Sequence, residues 1–152
     1  MKRKLVGALA ALFLASGFAI ADNAPKYIFY YIGDGMGMGP IMAAERYWRD
    51  IRGEEQPLTM MQMPVVAWSM TYSATGPVTD SAAAGTALST GSKTLNGMLG
   101  QTADTVNVRS IARDFQDAGF GIGVITSVAA DDATPGAFYA NVPSRKIYYD
   151  ID

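Results

Sequence analysis

Apolar residues fall in short, dense runs along this chain, and the runs alternate with stretches of helical spacing. Tyr27-Ile28-Phe29-Tyr30-Tyr31-Ile32 is continuously aromatic and β-branched, the pattern of a strand buried on both faces, as in a parallel sheet. A loop with glycine at 33, 35, 37 and 39 follows, and Pro40 then suits a helix start, with Ile41, Ala44 and Trp48 at helical spacing. Gly53 to Pro57 is charged and loop-like, Val65 to Tyr72 reads as a second strand, and Ser73 to Pro77 as a turn. Asp80 to Leu88 has the small-residue content of a closely packed helix. Val108, Ile111, Ala112 and Phe115 mark another amphipathic helix, stopped at Gly119. Gly121 to Thr126 is a third strand, and Ala133 to Ala140 a short helix with Pro135 tolerated in its first turn. Strands alternating with helices predict an α/β fold with a parallel sheet. Three strands make a narrow sheet, and Tyr148 to Asp152 offers no closing turn or helix, so the pattern is expected to be cut short at its C-terminal side.

The first residues read as a targeting segment. Lys2, Arg3 and Lys4 precede an uncharged apolar stretch from Leu5 to Ile20, and Ala19-Ile20-Ala21 fits a small-x-small cleavage site. This predicts a signal peptide over 1–21, cleavage after Ala21, a mature portion over 22–152, and a periplasmic or secreted location. The competing reading is a retained anchor, against which the apolar stretch is short for a spanning helix of about 20 residues. Without those three cations the chain keeps nine basic against 14 acidic side chains, a net of −5. A mildly acidic protein gives no reason to expect nucleic acid as partner.

Composition narrows the chemistry further. The chain has no Cys and no His, which excludes disulfides, thiolate metal sites and an imidazole base. In an open parallel sheet, ligands sit beyond the carboxyl ends of strands. Asp34 follows the first strand there, placed either to bind a cation or to cap and turn the chain. The glycines around it do not make a dinucleotide loop, because G-x-G-x-x-G fails in every register: its last place falls on Met38, Pro40 or Met42. Ser81 would open a helix, where free amides and the helix dipole favour an anion and ease ionisation of a hydroxyl. Asp80 or Ser81 serves equally as an N-cap, and the two roles are compatible. A Ser-His-Asp triad cannot form without His, so a nucleophilic Ser81 needs a metal or a neighbouring cation. Gly91-Ser92-Lys93-Thr94 approaches a P-loop, but Ser92 breaks the glycine-to-lysine spacing. Asp131, Asp132 and Thr134 follow the third strand and form an oxygen-rich cluster suited to magnesium, or simply an acidic helix start. Arg145 offers a guanidinium able to grip phosphate through two parallel hydrogen bonds. Together these describe a metal-assisted phosphoryl-transfer site.

By these residues the chain resembles the alkaline phosphatase family. Tyr-Ile-Gly-Asp-Gly-Met-Gly at 31–37 looks like that family's first metal-binding strand end. Val-Thr-Asp-Ser-Ala-Ala-Ala-Gly-Thr-Ala at 78–87, with Thr-Gly-Ser-Lys-Thr at 90–94, is similar to its nucleophile segment. Asp-Ala-Thr-Pro at 132–135 and Ser-Arg-Lys at 144–146 resemble its magnesium and phosphate segments. The match runs in the family's order through nearly all of the mature portion, and the nucleophile segment is the most specific part. The resemblance implies the N-terminal portion of a three-layer α/β/α domain with a mostly parallel sheet. It implies hydrolysis of small phosphate monoesters through a phosphoserine on Ser81, with zinc and magnesium as cofactors and a homodimer in the full-length form. In that scheme Asp34 bridges magnesium and one zinc, Ser81 is nucleophile and zinc ligand, Asp80 orients Arg145, Arg145 holds the phosphate oxygens, and Asp132 and Thr134 help bind magnesium. Many relatives have His where Asp132 stands, which leaves the metal preference of that site open.

The departure from the family is in length and ligands. Its members are longer, and their zinc-binding histidines lie outside the matched region, so the isolated chain is expected to be inactive and the parent protein a phosphomonoesterase. One alternative is a truncated product that binds phosphate or magnesium without turnover. Another is a sulfatase-like hydrolase, whose Cys/Ser-x-Pro-x-Arg motif is not met at Ser81, which Ala82-Ala83-Ala84 follows. The unfinished sheet is expected to leave an open edge and bare apolar surface.

Overall fold

The computed structural model describes residues 25–151, so the signal-peptide reading over 1–21 lies outside the described residues. Two units are separable, one ending at Gly33 and one beginning at Asp34. In the first, residues 25–33 carry no helix or strand, and Tyr27, Phe29 and Tyr31 are exposed. Partial burial raises the pKa of the Tyr30 phenol above its ordinary value.

The second unit holds four α-helices among the described residues: α1 (Met38–Arg46), α2 (Ser81–Thr90), α3 (Ile111–Asp117) and α4 (Ala133–Gly136). Pro40 occupies the first turn of α1, where a missing N–H costs no intrahelical bond. That helix continues as a π-helical turn over Tyr47–Ile51. Short 3₁₀ turns cover Thr59–Gln62 and Tyr148–Asp150.

The core forms where α2 packs on α4 and α3. Ala82, Leu99, Ala133, Ala137, Ala140, Val142 and Ile151 are its buried members, with Tyr139 against them. Small residues on α2 make this close packing possible. A Cβ built on Gly85 would lie 2.8 Å from that of Ala137. Polar side chains in the same layer are satisfied by long-range bonds. The Thr86 hydroxyl donates to the Met98 carbonyl at 3.2 Å and accepts from the Gly100 N–H at 3.0 Å. Ser89 donates to the Ala137 carbonyl at 2.7 Å. Buried polar groups need such partners, and these helix-weak residues are tolerated in α2 because tertiary bonds use them.

Helix α3 starts after Ser110, whose hydroxyl turns away from the helix to donate to the Phe138 carbonyl at 2.6 Å. It ends as expected before Gly119, which adopts φ +90°, and Phe120 folds back edge-on to Phe115 with ring centroids 5.4 Å apart. Arg109 lies beside it, hydrogen-bonded to Asp114 and Asp117, and both bonds raise its pKa. Helix α4 is shorter than the predicted Ala133–Ala140 because the chain leaves it at Ala137 through tighter turns, Phe138 to Pro135 and Tyr139 to Gly136. Those turns bring Val142 to Leu99.

The predicted strands differ more. Among the described residues, 27–32, 65–72 and 121–126 carry no strand pairing, and the parallel sheet is not formed in this structure. The pairings present are two isolated antiparallel bridges, Leu99 with Val142 and Gln101 with Asn107. Val65 to Tyr72 and Gly121 to Thr126 are exposed throughout. A strand patterned for burial on two faces is stabilised by neighbours and by covering layers, and the contacts of these segments supply neither.

Candidate active site

The acid and the guanidinium singled out in the sequence meet at the start of α2. Asp80 is the N-cap, its Oδ1 accepting from the Ala83 N–H at 2.9 Å. Its other oxygen accepts from the Gly97 N–H at 3.0 Å and lies 3.7 Å from Nη1 of Arg145. The same guanidinium donates from Nη2 to Asp132 Oδ1 at 2.8 Å. Asp132 in turn caps α4, accepting from the Ala133 N–H at 2.7 Å. One arginine therefore spans the caps of two helices, and all three side chains are only about one-third exposed: 31% for Arg145, 29% for Asp80 and 38% for Asp132.

Ser81 is the first residue of α2 and is half-buried. It stands next to the capping carboxylate, at the end of the helix where free N–H groups and the dipole favour negative charge. The capping alternative raised by the sequence is thus realised by Asp80, which leaves the Ser81 hydroxyl without that task. Anionic oxygens arriving here would meet a helix N-terminus and a guanidinium with fork geometry.

Asp34 and Thr134 are brought together across 100 positions of sequence, the threonine hydroxyl donating to Asp34 Oδ2 at 2.8 Å. Asp34 does not cap the helix that follows it, since the N-cap of α1 is Gly37. Gly35, at φ +69°, makes the turn between them. Asp132 is drawn to Arg145, and among the described residues no three acidic, Cys or His side chains gather as a metal-binding group. The donors present are carboxylate and hydroxyl oxygens, which fit a hard cation such as magnesium. They do not fit a zinc pair of the implied kind, because the 152 residues contain no imidazole and no thiolate.

Lys93, the near-match to a P-loop lysine, has a structural task. Its ammonium donates to the carbonyls of Met70, at 3.1 Å, and Tyr72, and sits 3.7 Å over the Tyr72 ring. Two residues beside the site carry no catalytic signature in the sequence. Asn96 and Gly97 form the turn that faces Asp80, and the Asn-Gly pair is itself a turn signal.

Comparison with known proteins gives a consistent family. The family model described as alkaline phosphatase matches residues 25–152. The chain is 36% identical over 141 residues to the tissue-nonspecific isozyme of alkaline phosphatase from Rattus norvegicus, covering 84% of this chain and 27% of that protein. Among solved structures it is similar to the cold-active alkaline phosphatase of a psychrophilic Shewanella, with TM-score 0.70 and 36% identity over 79% of this chain and 31% of that one. It is also similar to an alkaline phosphatase of the Antarctic bacterium TAB5 in which a histidine is replaced by aspartate and magnesium is bound, with TM-score 0.63 and 29% identity over 71% and 31% of the two chains. These neighbours are of the α/β class. The chain thus spans about a quarter to a third of the length of the relatives it matches.

Proposed function

The chain belongs to the alkaline phosphatase family, and from that premise we propose that it supplies the nucleophile and the phosphate grip of a phosphomonoesterase. The observation that carries this reading is the meeting of Asp80, Arg145 and Asp132 at the helix start that presents Ser81. In the proposed reaction the Ser81 oxygen attacks phosphorus, the bond to the alkoxide leaving group breaks, and the alcohol departs with a proton. Water then attacks the phosphoserine, releasing inorganic phosphate and restoring the hydroxyl. Arg145 holds two phosphate oxygens in its fork, and Asp80 orients it through the carboxylate that also caps α2. Bound metal would supply charge neutralisation at the attacking and leaving oxygens.

Asp34 and Thr134 would hold magnesium, with Asp132 joining them when it turns from Arg145. The TAB5 relative with aspartate in place of a histidine holds magnesium, which supports magnesium for an aspartate-rich site of this family. The zinc that the family resemblance implies needs imidazoles beyond the 152 residues, so no step is derived through it, and the isolated chain is proposed to be inactive. The parallel sheet of the proposed α/β/α architecture would be built from 27–32, 65–72 and 121–126, with residues 1–21 as an export signal. Among the described residues no helix is long and apolar enough to cross a membrane.

A graft tests the reading. Residues 25–151 would replace the matching portion of the Shewanella enzyme, and hydrolysis of p-nitrophenyl phosphate would be measured with magnesium and zinc present. Turnover is expected, with acid quench leaving phosphate on Ser81 and Ser81→Ala abolishing both. A folded graft without turnover sinks the proposal. Ser81-dependent turnover by the ungrafted chain would overturn its assigned inactivity.

A further inference from the structure

The two-residue turn at Asn96 and Gly97 touches both Asp80 and Arg145 without belonging to the grip they form. The Asn96 side chain accepts from the Asp80 N–H at 3.3 Å and donates to the Val78 carbonyl at 3.0 Å. Its backbone N–H donates to the Thr75 hydroxyl at 2.8 Å. A single asparagine therefore ties down the loop that leads into Ser81 at three places, 75, 78 and 80. Gly97 continues the same turn. Its N–H donates to Asp80 Oδ2 at 3.0 Å, and its carbonyl accepts from the Arg145 N–H at 2.6 Å.

The turn is closed by the Met98 N–H bonding the Leu95 carbonyl at 3.2 Å, with Gly97 at φ +92°. That is the third position of a turn, where a type II geometry calls for glycine. The positive φ lets one peptide unit point its N–H at the acid while the carbonyl of the same residue receives the arginine backbone. Asp80 and Arg145 are 65 positions apart in sequence, and their 3.7 Å approach is a long, partly solvated ion pair of modest strength by itself. The spacing between them is therefore set by what holds their backbones, and both are held by this turn.

We infer that Asn96 is a positioning residue for the phosphate grip: through the 96–97 turn it fixes where Asp80 and Arg145 stand relative to each other. Asn96 does not touch the phosphate. It acts through the Asp80 backbone and through Gly97, and the inference rests on the proposed role of Arg145 as a phosphate ligand only for its functional consequence.

The test is nuclear magnetic resonance on the ¹⁵N-labelled chain carrying Trp68→Lys and Ile125→Lys, exposed positions remote in sequence from the 96–97 turn where a charge opposes self-association, following the Arg145 Nε–H signal, with inorganic phosphate as the probe. Asn96→Ala is expected to shift and broaden the Arg145 signal while leaving that of Arg109, which lies in a separate ion-pair cluster, unmoved. Phosphate affinity is expected to fall at least tenfold, and the thermal midpoint to change little. Should Asn96→Ala fail to fold, Thr75→Val removes only the acceptor of the Asn96 N–H and is expected to give a smaller shift of the Arg145 signal. An Arg145 signal unmoved in the folded variant overturns the positioning inference, whether or not phosphate binds. A parent chain whose Arg145 signal moves with Asn96→Ala but never with phosphate leaves the positioning intact and counts against the phosphate-grip reading alone.

Discussion

Asp80 uses one carboxylate for two purposes, and a pair of substitutions separates them. One oxygen caps α2 and the other meets Gly97 and Arg145. Asp80→Ala removes the cap, a loss of about 1 kcal/mol in general, and also strands the Gly97 N–H. Asp80→Asn keeps an oxygen for the Ala83 N–H but removes the charge that draws Arg145. Urea unfolding is expected to show the alanine variant less stable by about 1–3 kcal/mol, with the asparagine variant losing less. Equal stability of all three proteins would refute the dual role. At this scale the sequence was informative about chemical type and less so about partners. Asp80, Ser81, Asp132 and Arg145 are legible from their positions at helix starts and downstream of an acidic cluster. The capture of Arg145 by Asp132 was not legible, because the bond joins side chains whose spacing of 13 residues has no regular period. Asn96 was silent for a different reason: its work is done through backbone groups of other residues.

Helix α2 shows how far local pattern reaches at the scale of an element. The helix runs two residues past the expected Leu88 before Gly91, φ +75°, stops it, while its cap and its small-residue run follow from neighbouring residues. Which small residues are obligatory does not, because the constraint arrives from 48 residues away, where Ser89 bonds the Ala137 carbonyl. The loop glycines divide the same way. Gly100 has φ +60°, and a Cβ there would lie 2.1 Å from the Ala140 carbonyl oxygen, whereas a Cβ on Gly121 meets nothing within 4 Å. Gly100→Ala is expected to destabilise by about 1–3 kcal/mol or more, since strain and overpacking act together. Gly121→Ala, at an open position, is expected to change stability by less than about 0.5 kcal/mol. Chemical denaturation of the two variants in parallel checks the contrast, and a neutral Gly100→Ala would show that the Gly100–Ala140 approach is relaxed in solution.

For the molecule as a whole, the decisive feature is what the strand-patterned segments lack. Trp68 is 89% exposed and Ile125 98% exposed, each within a run of residues suited to burial on two faces. Period and composition are local and can be read from a sequence; pairing partners are not, which is why 65–72 and 121–126 carry a strand pattern while the structure gives them no strand. Contiguous apolar surface of this kind drives association or dye binding, and unpaired backbone in a strand-prone run templates further pairing. The small net charge of −2, or −5 without the first three cations, opposes this only weakly. The 152-residue chain in solution is therefore expected to sediment above its 16.2 kDa monomer mass, to enhance the fluorescence of an apolar dye such as ANS, and to melt over a broad range. Trp68→Lys and Ile125→Lys each place a charge in an exposed run and are expected to shift the population toward monomer and lower the dye signal. A monomer that melts sharply and binds no dye would mean that these runs find cover within the chain, and the unpaired segments would then have to be replaced by a closed core.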